Sequence, residues 1–121
     1  MSYVDGFVIP VPVKNLPAYK RMAKLAGKVW REHGALEYKE WIADDVKVGK
    51  LTSFPRSVKR KPGETVVFSW IVWPSKQARD TVNQKMKTDP RMKSSDMPFD
   101  GQRMIFGGFE VLLDTGADGA R

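Results

Sequence analysis

Ten consecutive residues, Glu64 to Trp73, constrain this chain more than any other stretch. They read Glu-Thr-Val-Val-Phe-Ser-Trp-Ile-Val-Trp, contain no glycine and are followed by Pro74. β-Branched and aromatic residues at this density predict a strand. One face would carry Val66, Phe68, Trp70 and Val72, the other Val67, Ser69, Ile71 and Trp73. A strand that is apolar on both sides needs cover on both. One layer of helices covers one side, so something else must cover the second.

The apolar spacing around this stretch predicts the order strand, helix, strand, strand, helix, strand. Tyr3 to Pro12 is the first strand, with Pro10 and Pro12 at its end, where lost donors matter least. Asn15 is placed to cap the first helix, and Pro17 falls in its first turn. The buried stripe of that helix is Tyr19, Met22, Ala23, Ala26, Val29, Trp30 and His33, and Gly34 ends it. Gly27 fits a close approach of helix to sheet, at a mild cost in helix propensity.

Ala35 to Asp44 reads as the second strand, with Leu36, Tyr38, Glu40 and Ile42 alternating with Glu37, Lys39, Trp41 and Ala43. This mixed pattern suits an edge strand. Trp41, on its more polar side, points to a contact beyond a single copy. The connection from Asp44 to Gly63 is long, with Leu51 to Phe54 as a short extra strand. Ser75 caps a second helix whose stripe is Ala78, Val82 and Met86 and which stops at Asp89-Pro90. Arg91 to Gly101 reads as a loop with a helical turn at Ser95 to Phe99. Arg103 to Asp114 is the last strand, in which Gly107-Gly108 predicts a bulge or a close backbone approach. Residues 1–114 read as one domain and Thr115 to Arg121 as a flexible tail.

Right-handed crossovers turn this order into an α+β, ferredoxin-like βαββαβ fold. It is a four-stranded antiparallel sheet with both helices on one face and the first and third strands central. Two covers for the open face compete. In RNA-recognition domains of this topology, aromatics on the central strands stack on bases. Tyr3 or Phe7 and Phe68 or Trp70 are candidates for that role, and the chain carries a net charge of +7. The charges are scattered, however, and the third strand is largely aliphatic with no Lys/Arg-Gly opening, which argues against nucleic acid. The alternative cover is a second copy of the chain. Burying several hundred Å² of apolar sheet per copy is worth on the order of 10 kcal/mol before association costs. A twofold homodimer is the reading the sequence favours.

Several chemistries are excluded. Without cysteine there are no disulfides, thiol nucleophiles or thiolate metal sites, as expected of a cytoplasmic protein. With one histidine, a metal site would have to be built from carboxylates, and no metal or other cofactor is expected. No apolar run is long enough for a membrane helix, no secretory signal is expected at the start, and no phosphate-cradling glycine motif is present.

The segments Tyr3-Val-Asp-Gly-Phe-Val-Ile-Pro-Val-Pro12, Trp70-Ile-Val-Trp-Pro-Ser75, Asp89-Pro-Arg-Met92, Asp96-Met-Pro-Phe-Asp-Gly101 and Arg103-Met-Ile-Phe-Gly-Gly-Phe-Glu110 cover nearly the whole chain. Together they resemble the YbaA-like family of small bacterial proteins of unknown function. The resemblance implies the dimeric α/β-barrel superfamily, and hence a sheet-to-sheet homodimer. It implies no activity. Members of that superfamily often carry a pocket between sheet and helices, and some are cofactor-independent oxygenases or decarboxylases. By that analogy, a small and perhaps acidic ligand would be sought among Asp5, His33, Tyr38, Trp70 and Arg103. Asp5 beside Arg103 would orient it and Trp70 would stack on it. The residues alone specify no reaction, so three classes stay open: a small-molecule binding protein or enzyme, a structural or regulatory dimer with no chemistry, and a nucleic-acid binder.

Overall fold

The structure, a computed structural model, describes residues 2–92 and 97–116. It contains β1 (Tyr3–Pro12), α1 (Leu16–His33), β2 (Glu37–Ile42), a short α2 (Phe54–Ser57), β3 (Glu64–Trp73), α3 (Lys76–Thr88) and β4 (Ile105–Glu110). The strands form one antiparallel sheet in the order β2-β3-β1-β4, so β1 and β3 are central. The class is α+β. Among the described residues no helix is long and apolar enough to cross a membrane.

β3 spans the whole β-branched and aromatic run from Glu64 to Trp73, and its Val67, Ser69, Ile71 and Trp73 face α1 and α3. Ile9, Val11 and Val67 pack against Tyr19 and Ala23 of α1, while Ile71 and Trp73 pack against Val82 of α3. Trp73 is fully enclosed, and its indole N–H donates to Asp5 Oδ2 at 2.9 Å. Asp5 is therefore a hydrogen-bonded carboxylate beneath the helices.

Local signals fixed several boundaries. Ser75 caps α3 by accepting from Ala78 N at 3.0 Å, and Gly34 ends α1 with φ of 122°, a conformation other residues reach only with strain. Asn15 departs from expectation. A 3-10 turn over Val13–Asn15 feeds directly into α1, so the Asn15 side chain makes no cap and instead donates to Pro98 O at 3.1 Å.

The expected strand at Leu51 to Phe54 is also corrected. Phe54 begins α2, because Pro55 suits a first helical turn and Ser53 Oγ accepts from Arg56 N at 3.1 Å. β2 and β4 are shorter than the sequence suggested. Gly107 and Gly108 sit in unbroken register opposite Gly6 and Asp5, so there is no bulge. The approach there is close, since a Cβ on Gly108 would lie 2.6 Å from Arg79 Nη2. Met97 to Phe99 are not helical. The rest of the expected turn, at Ser95 and Asp96, lies outside the described residues, as does the tail from 117 to 121.

The second sheet face carries Val4, Val8, Phe68, Trp70, Val72, Trp41, Ile105 and Phe109 by register. Among the described residues, α2 and Val58 just after it cover one corner, where Val58 packs on Val8 and Val66 and Phe54 on Phe68. Val4, Trp70 and Val72 are half-buried. The rest is exposed: Phe68 is 38%, Trp41 45%, Ile105 45% and Phe109 63% accessible, and Leu112 beyond β4 is 100% accessible.

Candidate functional site

Between the sheet and α1 lies a cavity of about 460 Å³, within the range of small-molecule sites. Its walls are mainly apolar, with Phe7 and Ile9 from β1, Met22 from α1, and Phe99 and Met104 from the segment before β4. The glutamate in these walls, Glu40, lies on β2 opposite Ser69. Tyr19 on α1 donates to Glu40 Oε1 at 2.6 Å, and Tyr38 two residues earlier on β2 donates to Oε2. Each carboxylate oxygen thus has one phenol donor and keeps a lone pair for another partner.

Burial makes Glu40 a weaker acid than a solvated glutamate, although the two phenol donors partly offset the effect. Burial, reinforced by the neighbouring carboxylate, raises both tyrosines well above the ordinary phenol range. At neutral pH both are phenols, free to donate. The cluster forms a partition, because Tyr19, Tyr38 and Glu40 also line a second hollow of about 630 Å³ along β2, rimmed by Lys20 and Lys24.

Gly27 holds this geometry. A Cβ there would lie 2.6 Å from Tyr38 Cε2, so the ring can lie against α1 only because residue 27 has no side chain. Trp30 packs on the Tyr38 ring with centroids 5.3 Å apart and also lines the cavity. Its indole N–H is closed off from solvent without a hydrogen-bond partner among the described residues. Arg91 lines the cavity with its charge already engaged, donating to Glu32 Oε2 at 2.8 Å and Asp89 Oδ2 at 2.9 Å.

Of the five residues proposed from sequence, only Tyr38 lines this cavity. Asp5 pairs with Trp73, and its charged neighbour is Arg79, with Nε 3.7 Å away, rather than Arg103. Arg103 holds Glu64 through two hydrogen bonds of 2.8 and 2.6 Å and also donates to Asp100. His33 Nε2 lies 3.5 Å from Asp89 Oδ2 at the end of α1. Trp70 is on the other sheet face, where its N–H donates to Glu37 Oε1 at 2.7 Å. An Asp5–Arg103 clamp with Trp70 stacked on its ligand therefore does not form. Sequence reasoning missed Tyr19, Trp30 and Glu40. Glu40 did carry a signal, as the one carboxylate in register with Leu36, Tyr38 and Ile42 on the apolar side of β2. Among the described residues no cluster of acidic and histidine side chains could hold a metal ion.

Residues 2–101 match a family described as "Protein of unknown function (DUF1428)". The chain is 53% identical over 116 residues to "Uncharacterized protein YbaA" of Escherichia coli K12, covering 94% of this chain and 99% of the relative. The same identity and coverage hold for the proteins of that name in Escherichia coli O157:H7 and Shigella flexneri. The chain therefore belongs to the DUF1428 family and is a relative of the bacterial YbaA proteins.

Proposed function

We propose that this protein is a ferredoxin-like homodimer of the dimeric α/β-barrel type that binds a small, neutral, mostly apolar molecule in the cavity between its sheet and α1. The observation that carries this reading is the Tyr19–Glu40–Tyr38 cluster set in the wall of a mainly apolar cavity of about 460 Å³. A carboxylate placed there without function costs stability, since burying it must be offset by its two donors. A bound molecule would take up the remaining hydrogen-bonding capacity of Glu40 and dry the chamber. The ligand's body would meet Phe7, Met22, Phe99 and Met104, and its one polar group would meet the cluster. An acidic ligand fits less well, because Glu40 repels it whenever ionised and Arg91 is already paired.

The dimer supplies the second cover that β3 requires. Residues 1–114 act as one unit in this reading, with the exposed aromatic and aliphatic face of one copy laid on that of the other. The aromatic run Trp41, Trp70, Phe68 and Phe54, with successive centroids 5.3, 5.6 and 5.9 Å apart, would lie within that contact.

A fragment screen by protein-observed NMR tests the ligand reading. Apolar fragments with a single hydroxyl or N–H that can donate to Glu40 should shift the resonances of Tyr19, Trp30, Tyr38 and Glu40, and Tyr19→Phe should weaken their binding about tenfold. Hits that map only to other surfaces, or none at all, would remove the cavity as the functional site.

A further inference from the structure

We infer that Glu40 is a general base that takes a proton from, and returns it to, a ligand held in the cavity, the substrates being neutral, apolar molecules with an acidic C–H beside a carbonyl. This rests on the ligand-binding reading above and adds a reaction class to it.

Three features carry the inference. First, Glu40 is set among apolar groups, so its carboxylate is less solvated and more basic than one at the surface. Second, Tyr19 and Tyr38 both donate to it and, being held in the phenol form by burial, cannot compete as bases. Third, the cluster borders two hollows, one apolar and one rimmed by exposed lysines. A proton taken on the apolar side can therefore exchange with water on the other.

The step balances without an oxidant or a cofactor. The C–H bond breaks, its proton passes to a free lone pair of a Glu40 oxygen, and its electron pair becomes the new C=C bond. The carbonyl π pair moves onto oxygen to give an enolate. A protonated Glu40 needs its two donors less than the carboxylate did. One tyrosine hydroxyl can then rotate to the enolate oxygen, where the negative charge now sits. This preference for the charged intermediate over the neutral ketone is what lowers a barrier. Return of the proton to the same carbon, to a conjugated carbon or to oxygen regenerates ketone, shifts a double bond or releases enol, and restores the Glu40 carboxylate.

The test uses 2-tetralone, 2-indanone and cyclohexanone as probes in D2O, with binding read by saturation transfer and loss of the α-proton signals followed by NMR. The unmodified protein should speed deuterium exchange of a bound ketone at least about 10²-fold over buffer at the same pH. The rate should rise with pH as Glu40 ionises and then level off. Glu40→Gln should bind the ketone and lose the acceleration, and Glu40→Asp should keep part of it. If Glu40→Gln does not fold, the pH profile of the unmodified protein and the slower exchange expected of Tyr19→Phe decide the matter. Binding with no acceleration, acceleration that survives in Glu40→Gln, or a rate independent of pH would each overturn the proton-transfer assignment while leaving the binding reading in place. Failure of all three ketones to bind would overturn the ligand class itself.

Discussion

A chain carrying Trp41→Glu and Phe109→Glu should sediment as a single copy of 13.7 kDa, while the unmodified chain sediments as a pair. Both positions lie on the sheet face away from α1 and α3, Trp41 opposite Phe68 on the β2 side and Phe109 opposite Val4 on the β4 side. Both are exposed in the single copy, so charge there costs the isolated fold little beyond the Trp41–Trp70 ring contact. In a sheet-to-sheet dimer each introduced carboxylate is desolvated without a partner, and twofold symmetry doubles the number. Even about 4 kcal/mol in total weakens association roughly a thousandfold. Circular dichroism should show the fold retained. A pair that persists through both substitutions would place the dimer contact elsewhere. A single copy in the unmodified protein that retains RNA in a salt-sensitive way would favour bases as the cover.

Gly27→Val should destabilise the protein by about 1–3 kcal/mol and abolish ligand binding in the cavity. Helix propensity alone points the other way, since glycine is the poorest ordinary residue for a helix interior. Sterics decide the sign, because the new Cβ would overlap the Tyr38 ring, which lies against Gly27 and Trp30 of α1. Either α1 lifts from β2 or the ring swings out and withdraws its hydroxyl from Glu40. Urea unfolding reads the first effect and fragment affinity the second. Stability equal to that of the unmodified chain would mean that Tyr38 is free to move and that the cluster is not rigidly built.

The elements that could be read in advance were those whose signals are local. β3 was bounded correctly because β-branched and aromatic residues run without a break up to Pro74, and α3 because Ser75 and Asp89-Pro90 bracket it. Asn15 misled because capping needs an extended residue before the helix, and here the chain enters α1 already turning. Phe54 misled because strand propensity in a short apolar run says nothing of the proline that follows it.

The site was harder to read. Asp5 and Arg103 were joined on charge alone, whereas the sheet register sets Asp5 beneath α3 and within reach of Arg79. Glu64, thirty-nine residues before Arg103, proved to be that arginine's partner. Glu40 was visible as a carboxylate on the apolar side of β2. Its partner Tyr19 comes from α1, and only the packing of α1 on the sheet brings the two together. Which face of β3 would meet the helices had no local signal, since both are apolar.

The account depends on Glu40 being a carboxyl enclosed between two phenols. Carbon-13 labelling of the glutamate side-chain carboxyls and a pH titration by NMR test this directly. Glu40 should titrate above 4.5, because burial outweighs its hydrogen bonds. Glu64 should titrate below 4.5, because Arg103 holds it ionised. The native state would then bind a proton at Glu40 more tightly than the unfolded chain does. Its contribution to stability is full below 4.5 and declines as pH rises through the raised value. A Glu40 midpoint above that of every glutamate paired with arginine is the predicted result. A midpoint at or below 4.5 would contradict the account, since the two phenol donors would then outweigh burial and Glu40 would be no stronger a base than a solvated glutamate.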